Sequence, residues 1–349
     1  MKLSVLDLIP TRTAQTSALS LAASASQARL ADALGYTRYW VAEHHNMPAV
    51  ASSVPGVLIP FLAQGTSRIR FGSGGVMLPN HTPLAVAEQF ALLEAMFPGR
   101  IDLGLGRAPG SDPVTSYLMR GGGADAAERF EQDVELLREL LGRGRTGVGE
   151  PVSLSLAGRP YEVRATPRAT SAPDVWLLGS SGFSADLAAR TGLPYVFANH
   201  FGMPGLERAL ATYRENYQPS DAYPEPVTIL PVNVVAARDA ATARRLARPQ
   251  AVQMAFLRTG APLRPQLTVE EAEAIALTTA QAELVAATSG AAVVGTPQEA
   301  AEQLRAMARR HGVDEVMISP AAGAFEADPL DRVPAREETL RLLAEELLA

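Results

Sequence analysis

Short apolar runs alternate along the chain with longer segments whose apolar residues recur at helical spacing. The runs predict eight strands, at 3–7, 39–43, 69–77, 101–106, 175–178, 195–198, 227–235 and 313–318. Helical patterns fall between and after them, at 17–34, 54–65, 84–97, 184–191, 206–217, 297–310 and 336–347. Eight strand–helix units favour an α/β fold, a closed (β/α)8 TIM barrel, over an open doubly wound sheet.

Two segments interrupt this rhythm. Residues 108–173, after the fourth strand, carry a helical pattern at 125–141 and a Gly-rich stretch suited to a hairpin. Residues 239–290, after the seventh strand, are helical and could form a lid over the barrel. We therefore expect one domain over residues 1–349, with insertions at about 108–173 and 239–290.

Composition excludes several classes of protein. A net charge of -6 without a basic cluster argues against nucleic acid as a partner. No apolar run is long enough for a membrane span, and the first strand begins at once, so we expect a cytoplasmic protein without a membrane anchor. The chain has no cysteine, and Lys2 is its only lysine, which argues against thiolate, disulfide and Schiff-base chemistry.

Polar residues gather where the predicted strands end, which is the active-site face of a barrel of this type. The second strand runs into Glu43, His44 and His45, the fourth into Arg107, and the fifth into the turn that begins at Gly179. Four of the five histidines would face this rim. Neighbouring residues of a strand point to opposite sides, so His44 and His45 are poorly placed to share an ion, and we expect no metal site. His44 is the candidate for acid–base work or for a hydrogen bond to a cofactor.

The turn after the fifth strand reads Gly179-Ser180-Ser181-Gly182-Phe183-Ser184. Backbone N–H groups and hydroxyls at a helix N-terminus suit a phosphate, and Arg107 could add a fixed positive charge. The alternatives are an ordinary turn with Ser184 as N-cap and an arginine that is solvated or salt-bridged.

Two glycine clusters invite different interpretations. Gly72-Ser73-Gly74-Gly75 suits either a flat ligand lying on bare backbone or a bend in the barrel. The stretch from Gly104 to Gly110 resembles a dinucleotide motif, but Pro109 stands where G-x-G-x-x-G needs its last glycine.

Several of these segments together resemble the bacterial luciferase-like flavin monooxygenases, most of all the single-chain subgroup. The matching stretches are AEHHNMP at 42–48, GSGGVMLPNHTP at 72–83, GRIDLGLGRAPG at 99–110 and VGTP at 294–297. The match is dense through about residue 120, resumes near Gly179 and Val294, and thins across both insertions.

The resemblance implies a barrel that binds FMN, usually as a homodimer. It implies that Gly74-Gly75 is a non-prolyl cis peptide against the flavin ring, that Glu43 lies near the flavin edge, and that His44 is the catalytic histidine. It also implies that the phosphate is held by Arg107, Gly179, Ser180, Gly182 and Phe183. The chain departs from the family twice: Gly106 replaces luciferase's reactive cysteine, and Phe183 replaces a phosphate-binding threonine.

The resulting hypothesis is an oxidoreductase, specifically a monooxygenase that uses reduced FMN and O2 on a small organic substrate. A separate flavin reductase could supply the reduced FMN, since no NAD(P)H fingerprint is visible. The alternatives are a deazaflavin (F420)-dependent hydride-transfer enzyme, a non-catalytic flavin-binding protein, and a metal-dependent hydrolase on the same barrel.

Overall fold

A computed structural model describes residues 1–120, 127–142, 149–202 and 204–348. Its strands are β1 Lys2–Asp7, β2 Arg38–Val41, β3 Arg70–Met77, β4 Ile101–Gly106, β5 Val152–Leu156, β6 Arg159–Val163, β7 Asp174–Gly179, β8 Tyr195–Phe197, β9 Thr228–Ala236, β10 Val293–Gly295 and β11 Glu315–Pro320. Its helices are α1 Ser17–Leu34, α2 Pro55–Leu62, α3 Pro83–Met96, α4 Pro113–Arg120, α5 Phe130–Leu141, α6 Gly182–Thr191, α7 Leu206–Glu215, α8 Ala240–Thr259, α9 Val269–Ala274, α10 Thr279–Ala291, α11 Pro297–His311 and α12 Pro334–Leu347.

Eight parallel strands close into a barrel. Their order around the barrel is β1, β2, β3, β4, β7, β8, β9 and β11, and β11 pairs with β1. Helices lie between successive strands, so the predicted (β/α)8 TIM barrel is confirmed. Each barrel strand falls on one of the eight predicted apolar runs. The short strand β10 pairs with β9 outside this ring.

Apolar side chains fill two layers. The larger core lies between the strands and the surrounding helices, as the nearly unbroken apolar character of parallel strands requires. A smaller cluster fills the inside of the barrel, where the Trp40 and Trp176 rings meet edge to face at a centroid distance of 5.4 Å. This inner layer forms the floor on which a site at the C-terminal rim rests.

A buried ion network closes the opposite end of the barrel. Arg38 pairs with Asp102 at 2.8 Å and with Glu315 at 2.9 Å, and Arg70 pairs with Asp102 and Asp174 at 2.6 and 2.8 Å. All five residues stand at or next to the first residue of a strand, which places the network at the N-terminal mouth. Asp102 is fully buried, and the charges of Arg38 and Arg70 lower its pKa against the opposing effect of burial.

The insertions take the following form in the described residues. Between β4 and β7 lie α4, α5 and an antiparallel hairpin of β5 and β6, in the stretch where a hairpin is predicted. Part of the helix predicted at 125–141 falls outside the described residues, and α5 covers its second half. Between β9 and β10 lie α8, α9 and α10. The division into one domain with two insertions stays a prediction.

Local signals set several helix ends as predicted. Thr296 is the N-cap of α11, and Pro297 is the first residue of the helix. The Thr296 hydroxyl accepts the backbone N–H of Glu299, and the Glu299 carboxylate accepts the backbone N–H of Thr296, which completes a capping box. The last helix, α12, packs against α1, α11, β9 and β11, so it covers the side of the barrel. Within the described ranges, no helix has both the length and the apolar character needed to cross a bilayer.

Candidate active site

A cleft of about 590 Å³ opens at the C-terminal rim of the barrel. Its floor includes Trp40, Leu178 and Met317 from the inner layer. Most of the predicted site residues line its walls, namely His44, Gly74, Gly75, Arg107, Gly179 and Ser180. Glu43, Gly182 and Phe183 are not part of the lining, but Glu43 bonds the lining residue Met77 and Phe183 contacts the lining residue Arg107.

The order of these residues around the rim follows from the order of the strands. His44 comes after β2, Gly74 and Gly75 lie in β3, Arg107 directly follows β4, and Ser180 directly follows β7. These four strands are neighbours in the sheet. The two glycines therefore separate the histidine from the arginine and serine side of the cleft.

Glu43 anchors the histidine segment from beneath. Its side chain is fully buried, and its Oε1 accepts hydrogen bonds from Nε2 of His45 at 3.0 Å and from Nε2 of His81 at 2.9 Å. Its Oε2 accepts the backbone N–H of Met77 at 3.0 Å. Burial raises the pKa of Glu43, but these bonds and the charge interaction with His81 outweigh burial, so the pKa lies below its usual value.

Two backbone carbonyl groups contact His44. Its ring Nδ1 lies 3.3 Å from the carbonyl oxygen of Gly110, and its backbone N–H bonds Ser52 at 3.0 Å. A carbonyl oxygen only accepts hydrogen bonds, so in the neutral ring Nδ1 carries the hydrogen and Nε2 carries the lone pair. Burial lowers the pKa of His44, which favours this neutral form.

The strand predicted at 39–43 ends earlier, because β2 stops at Val41. The argument from strand alternation therefore does not apply to His44 and His45, yet their rings still have different partners, Gly110 and Glu43. Within the described part of the chain, no group of three metal-binding side chains is placed to hold an ion.

His200 is the fourth histidine of the rim, and it lines the same cleft as His44. Burial and the positive charge of a protonated His44 lower the pKa of His200 to about 3. His200 is therefore neutral throughout the physiological range. Four of the five histidines thus lie at the C-terminal rim as predicted. His311 is the last residue of α11, just before the N-terminal end of β11.

Gly74 and Gly75 are joined by a cis peptide bond, as the resemblance implies. The pairing of β3 with β4 shifts register between Ser73 and Val76, so a bulge also occurs at this point. A Cβ on Gly75 would lie 2.8 Å from the carbonyl oxygen of Gly104, and one on Gly74 would lie 2.7 Å from Cδ1 of Leu6. Packing within the barrel therefore favours glycine at both positions, most strictly at Gly75, where the neighbouring atom is backbone.

The turn after β7 leads into α6 at Gly182, with Ser181 at the N-cap position. The alternative in which Ser184 is the N-cap is wrong, because Ser184 is buried inside the first turn. The Ser181 side chain makes no capping hydrogen bond. The first N–H groups of α6 are thus left for another acceptor, next to the Ser180 and Ser181 lining of the cleft.

Arg107 faces this turn from β4. Its guanidinium lies over the ring of Phe183, 4.0 Å from the ring centroid. Among the described residues, no carboxylate lies within 4.0 Å of Arg107, so the salt-bridged alternative is not what the structure shows. The ring of Phe183 therefore orients the guanidinium of Arg107. The comparison with a phosphate-binding threonine at this position did not predict that role.

Sequence reasoning missed three contributors to this site. They are the Gly110 carbonyl that orients His44, the Met77 amide that bonds Glu43, and the ring of His81 that shares Glu43 with His45. Two of the three are backbone groups, and a backbone contact does not in general depend on residue type. Gly110 is the exception, since its φ of 64° favours glycine and a Cβ there would lie 2.8 Å from the Glu43 carbonyl oxygen.

The family model for luciferase-like monooxygenases matches residues 1–315. The chain belongs to the luciferase-like monooxygenase family. The chain is similar to the uncharacterised protein YvbT of Bacillus subtilis (strain 168). The two are 40% identical over 320 residues, which cover 91% of this chain and 90% of YvbT. The N-acetyl-S-alkylcysteine monooxygenase of the same organism is 31% identical over 330 residues, covering 93% and 95% of the two chains.

Solved structures of luciferase-like proteins share the fold. The crystal structure of apo-MsnO8 superimposes with a TM-score of 0.82 at 34% identity, covering 99% of this chain and 98% of MsnO8. Two more distant structures show the fold alone. They are the oxygenating constituent of 3,6-diketocamphane monooxygenase from a Pseudomonas putida plasmid, in complex with FMN (TM-score 0.70, 18% identity, 99% and 98% covered), and an F420-dependent secondary alcohol dehydrogenase (TM-score 0.63, 16% identity, 98% and 98% covered).

Proposed function

We propose that this luciferase-like protein is an FMN-dependent monooxygenase that uses reduced FMN and O2 on a small organic substrate. The observation that carries the proposal is the arrangement of the cleft. Arg107, which has no ion pair within the described ranges, and a helix N-terminus lie side by side after β4 and β7, and β3 separates them from the half-buried His44 after β2. Such a cleft suits a long ligand with a phosphate at one end and a flat ring toward the other.

The described residues fit FMN in size and in charge. The volume of about 590 Å³ lies within the range of about 300–1,000 Å³ that is usual for cofactor and small-molecule sites. The phosphate would be held by Arg107, by Ser180 and by the N–H groups at Gly182 and Phe183. Gly179 has no side chain, so the phosphate could approach the backbone there. The isoalloxazine ring would lie beside Gly74 and Gly75, with Glu43 fixing the nearby segment. Once bound in its reduced form, FMN supplies the electrons and the reaction with oxygen.

His44 would handle protons beside the reacting atoms. With Nδ1 directed to Gly110, Nε2 of the neutral ring can accept a proton or hydrogen-bond to one. The apolar floor formed by Trp40, Leu178 and Met317 keeps water away from this point. The protein would thus position the flavin and the substrate, exclude water from them and move a proton.

Flavin titration tests the proposal directly. We expect purified protein to bind reduced FMN and to catalyse substrate oxygenation with it in the presence of O2. Competition with F420, followed by fluorescence, separates the two cofactors, and preference for F420 together with hydride transfer without oxygen would overturn the proposal. Tight flavin binding without turnover on any substrate class would favour a non-catalytic flavin-binding protein instead.

A substrate panel should cover aldehydes, aromatic amines and sulfur compounds. N-acetyl-S-alkylcysteines belong in the panel because a relative 31% identical to this chain is named as a monooxygenase of that class. Oxygen incorporation is followed by mass spectrometry with ¹⁸O2. A product that carries one ¹⁸O atom is the expected result.

We also propose a homodimer and a separate flavin reductase. Four apolar side chains on the outer faces of α2 and α3, Val57, Phe61, Leu92 and Met96, are between 44% and 68% exposed, and these helices pack side by side. A second copy of the chain would cover this patch. Light scattering tests the dimer, and the Val57→Glu/Phe61→Glu variant should be a monomer in the same measurement.

A cytoplasmic location stays a prediction from the sequence.

A further inference from the structure

A second, smaller pocket adjoins the cleft on the side of His44. Its volume is about 100 Å³, and the side chains of Leu6 and His44 line both spaces. It lies among the loop after β1, the loop after β2, helix α8 and the end of β11. The histidine that we assign to proton transfer therefore stands where the two spaces meet.

One wall of this pocket is apolar. It consists of Met47 and Val50 from the loop after β2, with Met254, Leu257 and Leu263 from α8 and the segment that follows it. These flexible and aliphatic side chains suit a hydrocarbon surface. The wall alone would accept any small apolar molecule.

The opposite wall contains a buried cation, Arg336. Its side chain belongs to the first turn of α12, and the residue is 6% exposed. Its Nε donates to the carbonyl oxygen of Ala322 at 2.9 Å, and its Nη2 donates to Oε1 of Gln266 at 3.2 Å. In the described residues, no carboxylate oxygen lies within 4.0 Å of its guanidinium, and no acceptor bonds its Nη1.

Helix stability does not account for this arginine. A positive charge in the first turn opposes the helix dipole, and burial without an ion pair costs further free energy. Asp7 also lines the pocket and its charge acts on Arg336, but its oxygens already accept bonds from Ile9, Ser24 and Tyr39. Arg336 therefore keeps donor capacity toward the pocket.

The amides beside Arg336 extend this donor set. Because Oε1 of Gln266 accepts from Arg336, its Nε2 donates onward, to Oε1 of Gln250 at 3.1 Å. That bond leaves the NH2 group of Gln250, which also lines the pocket, as a donor. Oε1 of Gln253 is also buried in this lining and has no donor in the described residues, but it is an acceptor and does not belong to the donor set.

We propose that this pocket binds the carboxylate of a small, otherwise apolar acid, with Arg336 as the residue that recognises the acid group. Arginine matches a carboxylate with two parallel N–H donors, and the apolar wall would take the chain next to it. The inference rests on the proposed function, because it makes the acid the substrate that is presented to His44 and the flavin.

The size of the pocket limits what it can hold. An engineered cavity of about 150 Å³ holds benzene, so about 100 Å³ admits a carboxylate with a short stem. The remainder of a longer acid would extend past His44 into the cleft. The substrate is thus held by its acid end, and the atom to be oxidised lies several bonds away from that end.

Matched ligand pairs test the inference without any variant. Butanoate and hexanoate are compared with butanamide and hexanamide by calorimetry on the flavin-free protein, since each pair differs in charge but hardly in shape. We expect the acids to bind about ten- to hundred-fold more tightly than the amides, as is typical of a charge-assisted hydrogen bond. Equal affinity for acid and amide would overturn the inference.

Variants then assign the effect to one residue. Arg336→Gln should remove the preference for the acid, and Arg336→Lys should retain part of it. Arg341→Gln, on an exposed side of the same helix, is the matched control and should leave the preference unchanged. Melting temperatures accompany each measurement, and a folded Arg336→Gln protein that still prefers acids would overturn the assignment.

The same panel separates this inference from the proposed function. Reduced FMN is titrated with and without hexanoate, and oxygenation is assayed on acid and amide pairs. Acid binding without any FMN binding would overturn the proposed function and leave the carboxylate site standing. FMN-dependent oxygenation with no preference for acids in KM would leave the proposed function standing and overturn the carboxylate site.

Discussion

Nδ1 of His44 and the carbonyl oxygen of Gly110 face each other across 3.3 Å, and this contact joins the loop after β2 to the loop after β4. A second bond between the same loops, from Asn46 to Asp112 at 2.9 Å, holds them together at the protein surface. The ring is thus oriented by a neutral acceptor, in contrast to histidines that are paired with a carboxylate. Burial has the largest effect on the pKa of His44 and lowers it, although the bond to Gly110 and the charge of Glu43 act in the opposite direction.

Replacement of His44 tests its role in proton transfer. We expect His44→Ala to lower kcat by about 10²- to 10⁴-fold, the usual contribution of a general acid or base. Affinity for reduced FMN should change little, because the phosphate end of the cleft is untouched. His311→Ala, far from the rim, is the control histidine variant. Loss of FMN binding in His44→Ala would assign this residue to the cofactor instead.

Removal of the Arg107 charge should weaken binding of FMN specifically through its phosphate. We expect Arg107→Gln to raise the Kd for FMN by about ten- to hundred-fold, corresponding to a lost charge-assisted hydrogen bond of about 1.5–3 kcal/mol. Riboflavin, which lacks the phosphate, should bind both proteins alike. Arg190→Gln, at the far end of α6, serves as the matched control. An equal loss for FMN and riboflavin would place Arg107 elsewhere in the site.

Gly75 should not tolerate a side chain. A Cβ there would press on backbone of β4 at 2.8 Å, and backbone cannot move aside as a flexible side chain can. We expect Gly75→Ala to lower the free energy of unfolding by about 1–3 kcal/mol, the usual cost of overpacking. Gly290→Ala, in α10 with open space around it, should be neutral or stabilising. Urea denaturation measures both, and equal stability of the two variants would contradict the expectation.

Buried neutral His200 should make the protein sensitive to acid. Its pKa is about 3 in the folded protein and about 6.5 when exposed on unfolding, so between these values the unfolded chain binds the additional proton. Stability from this residue is therefore complete above about pH 6.5 and is lost as the pH falls toward 3. His200→Gln, which does not titrate, should flatten this part of the stability profile. Parallel profiles for the two proteins would show that other groups dominate.

The barrel could be predicted because each strand is a short apolar run between turn residues, and because these runs recur regularly. The start of the helix at Pro297 could be predicted to the residue, since Thr296 and Glu299 form a local motif. The end of β2 could not, because Ala42 and Glu43 are as buried as the strand before them. Burial outside a strand looks the same in sequence as burial within one.

Residues 43–45 and the turn at 179–184 could be predicted as parts of the site because each is a short continuous segment at the end of a strand. The second pocket could not, since Leu6, Met47, Gln253 and Arg336 are far apart in sequence and only the closed barrel brings them together. Arg336 also lies in an amphipathic helix, where an arginine is expected to face solvent. Its burial is a property of the tertiary structure.

The ion network of Arg38, Asp102, Glu315, Arg70 and Asp174 has a consequence for traffic through the molecule. It places five charged side chains at the N-terminal mouth, beneath the two tryptophans, so this end of the barrel is a packed core and not a pore. If the protein acts as proposed, flavin and substrate would both enter and leave through the C-terminal opening, where the cleft lies. We therefore expect ordered binding, in which the molecule that lies deeper in the cleft enters first and leaves last.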